Sequence, residues 1–320
     1  MRAAVIERHG EPPVAREMPE PVADKAALVE VIAAALNPAD LSIASGKFYT
    51  GPPPLPYIPG GEGVGRLLQN GTAGPRVFFR ASFPNGSLAE RAVVSEGQTV
   101  AIPDGVSDGL AVALGTPGIA AYLALTRRAQ LKAGETVLIL AASGVLGGIA
   151  VQVARLLGAG RIVAGARDEQ GLARSLELGA DATVDLKKTE GLTERIREAS
   201  GGQLNVVIDP LWGVPGVAAL EAMSPFGRFV QLGASAGAEA VVKSGVVRGR
   251  YLSILGHSNF SLPWEELAAA YRALIDYAAA GKLTVEVEVL PLEAAAEAWK
   301  LQATSPHRKL TLLPMVKPAR

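Results

Sequence analysis

Hydrophobic residues follow two different patterns along this chain, and the pattern changes near residue 113. Before that point, short apolar runs at 2–7 and 27–35 alternate with turns and with a proline-dense loop at 51–59, which is typical of β structure. Beyond it, apolar runs of strand length alternate with segments of helical spacing. Successive strand–helix units predict a parallel, doubly wound sheet, because parallel strands need long crossover connections.

The clearest strand of the second half is the continuous apolar run Thr136–Leu140, which predicts burial on both faces of a sheet. Helical spacing follows at 145–157 and ends at Gly158, a residue suited to a helix C-cap. The other elements predicted in this way are β structure at 161–164, 206–209, 228–233 and 283–290, and helices at 168–178, 217–223 and 264–280. Two Asn-Gly pairs, Asn70-Gly71 and Asn85-Gly86, predict hairpin turns.

Composition narrows the possible classes of function. Basic and acidic residues number 31 each, so no net field favours nucleic acid or an anionic membrane. The chain has no cysteine, which excludes disulfides, thiolate nucleophiles and cysteine-ligated zinc. The N-terminal segment meets a charge too early for a signal peptide, and the apolar stretch 136–157 fits a strand, turn and helix better than a bilayer span. We therefore expect a soluble, cytoplasmic protein.

A glycine-rich turn carries the first candidate chemistry. The segment 141–148, Ala-Ala-Ser-Gly-Val-Leu-Gly-Gly, follows the buried strand and opens a helix, which is the context of a dinucleotide-binding turn. A helix N-terminus offers free N–H groups to a pyrophosphate, and glycines allow the backbone to approach it. We therefore predict cofactor contacts at Ser143, Gly144, Val145 and Leu146. Ala142 stands where the first glycine of the usual pattern would be, so the motif alone is incomplete.

The end of the next strand distinguishes the two nicotinamide cofactors. Sites specific for NAD place a carboxylate there for the ribose hydroxyls. This chain has Ala166 followed by Arg167, which suits a charge-assisted bond to the 2′-phosphate of NADPH. Asp168 is the competing candidate, and it also fits the N-cap of the next helix. The residue pattern favours NADPH.

Beyond these local features, the chain resembles the medium-chain dehydrogenase/reductase superfamily, in particular its zinc-free quinone oxidoreductase-like branch. The resemblance covers nearly the whole chain and rests on motifs in a fixed order. They are Asn37-Pro38-Ala39-Asp40, Gly46, Pro59-Gly60-Gly61-Glu62-Gly63-Val64-Gly65, Gly86-Ser87-Leu88-Ala89-Glu90, the turn 142–147, Leu178-Gly179-Ala180-Asp181, Asp209, and 227–233. The resemblance implies an α/β protein with a GroES-like, β-rich catalytic domain at 1–114 and 258–320 and a Rossmann NADPH-binding domain at 115–257.

Differences from the zinc-dependent relatives bear on the chemistry. The resemblance places Asn37 where those enzymes have a cysteine ligand, and Gly61 where they have a histidine before the glutamate. The three histidines, His9, His257 and His307, give no set with metal-ligand spacing. We therefore expect no metal site.

The resemblance also implies roles for individual residues. It suggests Asn37 as the catalytic residue at the nicotinamide side of the site, although the same residue would suit a turn before Pro38. Related enoyl-thioester reductases carry a proton-donating tyrosine where this chain has Phe48, so Tyr49 or Tyr57 would have to substitute, and either also fits simple packing. Further cofactor contacts are implied at Asp209, Gly233, Ala234, Gly256 and His257. His257 equally fits an ordinary hydrogen-bonded histidine.

These features together predict a zinc-independent, NADPH-dependent oxidoreductase that reduces a quinone or an α,β-unsaturated carbonyl compound. A delocalised acceptor spreads the charge that a metal would otherwise stabilise. The alternatives are a metal-free alcohol dehydrogenase or ketone reductase, an enoyl-thioester reductase, and an NADPH-binding sensor or structural protein without turnover.

Two further expectations concern a rival chemistry and assembly. The segment 233–237, Gly-Ala-Ser-Ala-Gly, matches the nucleophile-elbow pattern of serine hydrolases around Ser235, but His257 follows too soon, with no aspartate between it and Ser235. His307 could pair only with Asp276 or a nearby glutamate. Relatives pair their Rossmann sheets edge to edge, and the apolar stretch 251–255 could form an exposed edge strand. The resemblance therefore implies a homodimer.

Overall fold

The structure, a computed structural model, describes residues 1–22, 26–69 and 72–314. The strands are β1 (Arg2–Val5), β2 (Val14–Glu17), β3 (Ala26–Ala35), β4 (Glu62–Gln69), β5 (Thr72–Arg80), β6 (Arg91–Ser95), β7 (Thr99–Ala101), β8 (Thr136–Leu140), β9 (Arg161–Ala166), β10 (Ala182–Asp185), β11 (Val206–Asp209), β12 (Arg228–Gln231), β13 (Ser253–Gly256), β14 (Val287–Pro291) and β15 (Lys309–Leu313). The helices are α1 (Pro38–Ala44), α2 (Asp108–Ala113), α3 (Ile119–Leu123), α4 (Val145–Leu156), α5 (Glu169–Glu177), α6 (Leu192–Ala199), α7 (Gly213–Ala222), α8 (Ser244–Gly249), α9 (Trp264–Ala279) and α10 (Ala295–Ala303).

Contacts divide the chain into two compact units, one of Met1–Thr116 with Trp264–Arg320 and one of Pro117–Pro263. The first unit contains a two-stranded sheet and a seven-stranded sheet of order β14-β15-β3-β4-β5-β7, with β6 also paired to β3. Apart from the parallel pair β14–β15, neighbouring strands of the larger sheet are antiparallel. This is the β-rich, GroES-like part of the fold.

The second unit contains a six-stranded sheet of order β10-β9-β8-β11-β12-β13 in which every neighbouring pair is parallel. Counted from β8, this is the order 3-2-1-4-5-6 of a Rossmann sheet. All five residues of β8 are buried, as the continuous apolar run predicted. The strand order reverses between β8 and β11, and in sheets of this kind ligands bind outside the carboxyl ends of the strands at that point.

One predicted hairpin is wrong. Asn85-Gly86 does not join two paired strands, because β6, the next strand, pairs with β3 and not with β5. Gly86 instead packs directly against the carbonyl of Pro59, where a side chain would collide, and its N–H donates to the carbonyl of Ile58. The other predicted turn, Asn70-Gly71, lies outside the described residues, although β4 and β5 on either side of it are paired.

One helical run, Asp108–Arg128, is long and apolar enough to cross a membrane by length and composition. Of the 18 most apolar consecutive residues in this run, 72% are buried within the protein. The backbone of the run leaves the helical conformation at Gly115. The buried core helices of soluble proteins can be equally long and apolar, so this run is weak evidence for a membrane span.

Candidate functional site

The glycine-rich turn connects β8 to α4, as the sequence predicted. Ala141 adopts a positive φ of 52°, and the N–H of Gly144 donates to the carbonyl of Ala141 at 3.0 Å. Gly144 is the N-cap of α4, and as a glycine it has no side chain that could cap the first N–H groups of the helix. The N–H groups of the first turn, which begins at Val145, are therefore open to an external acceptor, and the helix dipole favours an anion there.

Two glycines keep this turn compact. A Cβ on Gly147 would collide with the carbonyl oxygen of Ala141 and lie 2.6 Å from the Cα of Ala142. A Cβ on Gly171, in the first turn of α5, would collide with the Cβ of Ser143. The helices α4 and α5 can therefore approach the turn only because both positions lack a side chain. This close packing provides the shape that a pyrophosphate needs.

The end of β9 separates Arg167 from Asp168. Ala166 is buried, whereas Arg167 is exposed at the carboxyl end of the strand. The Oδ2 atom of Asp168 accepts a 2.7 Å hydrogen bond from the N–H of Gly171, which makes Asp168 the N-cap of α5. The interpretation of Asp168 as a cap is confirmed. The role of Arg167 in cofactor selection stays a prediction.

Asp209 ends β11 and is completely buried. Its carboxylate accepts hydrogen bonds from the N–H groups of Leu211 at 2.7 Å and of Trp212 at 3.0 Å. Burial raises the pKa of Asp209 to about 6, although these two bonds oppose the rise. The Asp209 side chain therefore stabilises the turn 209–213, in which Trp212 has a φ of 57°. If Asp209 contributes to cofactor binding, as predicted, it would do so by holding the backbone of this turn in place.

The predicted residues near the ends of β12 and β13 lie at the carboxyl ends of neighbouring strands. The side chain of Gln231 donates to the carbonyl of Gly233 at 2.6 Å, and the backbone carbonyl of Gln231 accepts from the N–H of His257 at 2.9 Å. Ala234 and Gly256 are exposed. The ring Nε2 of His257 lies 3.1 Å from the Oδ1 of Asn259, and burial lowers the pKa of His257. Through these two hydrogen bonds, Gln231 connects the carboxyl ends of β12 and β13.

The serine-hydrolase alternative is wrong. A nucleophile elbow places its serine between a strand and an immediately following helix. Here β12 ends at Gln231, and the next helix, α8, begins only at Ser244. The Oγ of Ser235 donates to the carbonyl of Pro210 at 3.2 Å, and the partner of His257 is Asn259.

Asn37, in the other unit, belongs to a buried polar network. It follows β3, is 6% exposed and stands at the N-terminus of α1. The Nζ of Lys309, on β15, donates to the Oδ1 of Asn37 at 2.6 Å and to the carbonyl of Leu36 at 3.2 Å. The Nδ2 of Asn37 donates to the Oε1 of Glu62 at 2.9 Å.

Glu62 fixes the other end of this network. Its Oε2 accepts hydrogen bonds from both the N–H and the Oγ1 of Thr116, each 2.7 Å long. Gly115 leaves room for the carboxylate, because a Cβ there would lie 2.6 Å from Oε2. Glu62 is buried, so each of its oxygens needs these donors.

Lys309 places a positive charge close to the carboxyl groups of Glu62 and Asp40. Burial lowers the pKa of the Lys309 ammonium, whereas the charges of Glu62 and Asp40 act to raise it. The residue is 2% exposed. A buried cation of this kind is stable only when it is paired and hydrogen-bonded, as this one is.

The tyrosines considered as proton donors differ in position. Tyr49 is 66% exposed and stacks on Phe48, with ring centroids 4.4 Å apart. Tyr57 is buried, and its hydroxyl has no hydrogen-bond partner among the residues described. Burial raises the pKa of Tyr57 to about 12, and its ring packs edge-on against Phe83. The catalytic role of Tyr49 stays a prediction.

Sequence reasoning missed Lys309 and Thr116 and gave no role to Glu62 or Asp40. One signal was present: Lys309 opens the apolar run of β15, where a lone lysine is unusual. Thr116 gave no signal, because its contact with Glu62, 54 positions away, arises only in the tertiary structure.

Within the described ranges, no group of three or more His, Cys, Asp or Glu residues lies close enough together to hold a metal ion.

A separate cavity of about 570 Å³ lies in the second unit, beside the N-terminal ends of α6 and α7. Its lining includes Glu194, Glu221 and Glu239 and none of the predicted site residues. Three carboxylates disfavour the phosphates of a dinucleotide, so this cavity is not a candidate cofactor site.

Comparison with known proteins agrees with this architecture. The family model for the alcohol dehydrogenase GroES-like domain matches residues 23–104, and the zinc-binding dehydrogenase model matches residues 145–276. The quinone oxidoreductase of Homo sapiens is 30% identical over 317 residues, which cover 93% of this chain and 92% of the human protein.

Solved structures with this fold differ in their activities. The quinone oxidoreductase from Thermus thermophilus, also solved in complex with NADPH, is 31% identical, with a TM-score of 0.85 over 98% of this chain and 100% of that one. An NAD-dependent alcohol dehydrogenase is 28% identical, with a TM-score of 0.85 over 98% and 99%. The chain belongs to the medium-chain dehydrogenase/reductase superfamily, among its quinone oxidoreductase-like members, and is an oxidoreductase.

Proposed function

We propose that this protein is a zinc-independent, NADPH-dependent reductase of quinones or α,β-unsaturated carbonyl compounds. The observation that carries the proposal is the turn between β8 and α4, whose N-cap Gly144 leaves the first-turn N–H groups open at the carboxyl end of a Rossmann sheet. The complex of the Thermus thermophilus relative with NADPH supports the choice of cofactor.

The residues of the second unit fit a dinucleotide. Ser143, Gly144, Val145 and Leu146 would hold the pyrophosphate, because their backbone forms the open helix terminus. Arg167 would bind the 2′-phosphate from its exposed position after β9.

The nicotinamide end would lie at the neighbouring strand ends. Gly233 and Ala234 follow β12, and Gly256 and His257 lie at the end of β13 and directly after it. These four residues would line the nicotinamide end, with the turn after Asp209 beside them. The nicotinamide, when bound, supplies the hydride. The protein's part is to orient that ring and to exclude water.

The first unit suggests how an oxygen could be stabilised without a metal. Asn37 offers an amide donor held between Lys309 and Glu62, and the chain has no cysteine to ligate zinc. The charge of an enolate or hydroquinone oxygen is delocalised and needs less stabilisation than the localised charge of an alkoxide, so a hydrogen-bond donor alone can support it. A conjugated substrate therefore suits this site.

Two other enzyme activities deserve a direct test. The similarity to an NAD-dependent alcohol dehydrogenase favours oxidation of an alcohol, with NAD as cofactor, as the second candidate. An enoyl-thioester reductase is less favoured, because Phe48 has no proton to donate at the place of the tyrosine in those enzymes. An NADPH-binding sensor would bind the cofactor without turnover.

Initial rates on a substrate panel distinguish these functions. We expect NADPH oxidation with a quinone and an enone to exceed that with an unconjugated ketone by about a hundredfold or more. Alcohol oxidation with NADP⁺ or NAD⁺ is the comparison. If the alcohol or the simple ketone is the best substrate, the proposal is wrong. Binding of NADPH without turnover on any substrate indicates the sensor.

Organisation and location are also proposed. Residues 1–114 with 258–320 would form the catalytic domain, and residues 115–257 the cofactor domain, close to the two compact units. The fold, which is that of soluble oxidoreductases, supports a cytoplasmic location. Cell fractionation that finds the protein in membranes would contradict it.

A further inference from the structure

We propose that Lys309 and Glu62 are positioning residues that hold the Asn37 side chain in one orientation, so that its second amide N–H is a fixed donor to the substrate oxygen. The inference rests on the proposed function, because it assumes that Asn37 contacts the reacting molecule. It assigns a task to two buried groups, one of them 272 positions away in the chain.

The chemistry of the two partners allows only one orientation. An ammonium group has donors and no acceptor, so the atom that faces Lys309 must be the Oδ1 of Asn37. An ionised carboxylate only accepts, so the atom that faces Glu62 must be Nδ2. A rotation of the amide by 180° would oppose donor to donor and acceptor to acceptor, and it is therefore disfavoured.

One donor remains after these bonds are made. Nδ2 carries two hydrogens, and one of them serves Glu62. The other has no partner among the residues that the structure describes. Because the amide group is planar, the bonds at Oδ1 and Nδ2 also fix the direction of this second N–H. A buried donor without a partner is costly, and a ligand oxygen would satisfy it.

Both ends of the network are themselves anchored. Lys309 also donates to the carbonyl of Leu36, and Glu62 is held by two bonds from Thr116. Gly115 provides the space that Glu62 occupies. The donor is therefore held before substrate binds, and such preorganisation is what makes an oxyanion donor effective.

A double-mutant cycle tests the inference. We expect Lys309→Met to lower kcat by about ten- to a hundredfold, because a donor displaced by roughly 1 Å loses this much. The NADPH Kd, measured by fluorescence titration, should change by less than about threefold, since the donor contacts the substrate and not the cofactor. The KM should change less than kcat, because the bond to the substrate oxygen strengthens as negative charge develops in the transition state. In the Asn37→Ala background, Lys309→Met should change kcat by less than about twofold, because its target is gone.

The chain offers a matched control on the same strand. Thr311 is fully buried, and its Oγ1 has no partner within the described part of the chain. Thr311→Val should leave kcat unchanged, which shows that a substitution in β15 does not by itself impair turnover. Thermal melts establish that each variant is folded.

A second variant and a spectroscopic measurement keep the test decisive if Lys309→Met fails to fold. In Glu62→Gln, the new amide cannot accept from both Asn37 and Thr116 at once, so kcat should again fall, and only when Asn37 is present. Asparagine labelled with ¹⁵N gives five side-chain signals, and Asn37→Ala identifies one of them. Solvent exchange of that Nδ2 group should be at least about tenfold faster in Glu62→Gln than in the wild type.

The outcomes separate the two proposals. If Asn37→Ala leaves kcat unchanged, the role of Asn37 in the proposed function fails, and the inference fails with it. If Asn37→Ala lowers kcat but the effect of Lys309→Met is simply additive, the role of Asn37 stands and the positioning inference is overturned. Unchanged exchange of the Asn37 amide in Glu62→Gln also overturns it.

Discussion

The carboxylate of Asp40 accepts a 2.7 Å hydrogen bond from the backbone N–H of Asn37, which ties the first turn of α1 to the residue before it. A second backbone bond comes from Gly61. Asp40 is 5% exposed, and burial raises its pKa from 3.8 to about 7, even though these bonds and the charge of Lys309 oppose the rise. The folded state therefore favours the protonated form of the Asp40 side chain.

This shift predicts a pH dependence of stability. Because the pKa of Asp40 is higher in the folded state, the stability due to the protonated form is complete below pH 3.8 and is lost as the pH rises through about 7. The Asp40→Asn variant cannot ionise, so the difference in unfolding free energy between variant and wild type should grow across this range, by up to ~1.4 kcal/mol per pH unit. Urea titrations at several pH values measure it. A constant difference would contradict the expectation.

A pair of adjacent glycines in α4 tests the phosphate-binding turn. Gly147→Ala places a Cβ against the carbonyl of Ala141, so we expect the turn to move and NADPH affinity to fall by at least about tenfold. Gly148→Ala is the control, because the nearest atom to its Cβ is the flexible Cδ1 of Leu178, at 3.3 Å. Fluorescence titration gives both affinities, and equal values would show that the turn does not bind the cofactor.

Arg167 should control the choice between NADPH and NADH. Arg167→Ala removes a charge-assisted bond worth about 1.5–3 kcal/mol, and because the side chain is exposed we expect the lower end, about a tenfold loss of NADPH affinity. NADH lacks the phosphate, so its affinity should barely change. Arg248→Ala, another exposed arginine of the same unit, should affect neither cofactor. Equal losses for both cofactors would refute the assignment.

Activity should not depend on a metal ion. The resemblance implies that Asn37 and Gly61 stand where the zinc-dependent relatives have metal ligands, and the chain has no cysteine. Purified protein should contain no stoichiometric zinc by elemental analysis and should keep its activity after dialysis against a chelator. A zinc-dependent alcohol dehydrogenase treated in parallel is the control. Activity lost on dialysis and restored by zinc would disprove this expectation.

The edge of the parallel sheet should mediate dimer formation. Among the described residues β13 is an edge strand, and its Ile254 is 42% exposed. An unprotected edge strand favours pairing with a second copy. Light scattering should give a dimer mass for the wild type and a monomer mass for Ile254→Lys. Val289→Lys, at the edge of the other sheet, should remain dimeric. A monomeric wild type at micromolar concentration would rule the dimer out.

Features encoded over short distances could be predicted from the sequence. The strand β8, the turn after it and the helix α4 follow from one apolar run, a few glycines and helical spacing, all within about twenty residues. The cap formed by Asp168 is equally local, since its partner Gly171 lies three positions away. Such features are decided by backbone conformation and nearby hydrogen bonds, which the residue types themselves determine.

Features that join distant parts of the chain were decided by the tertiary structure. Asn37 was a candidate from its motif, but its partner Lys309 becomes a neighbour only because β15 pairs with β3. The hairpin expected at Asn85-Gly86 failed for the same reason, since β6 pairs with β3 instead of the preceding strand. Periodicity shows which residues are buried, but the pairing of strands determines which buried groups meet, and a polar network depends on that meeting.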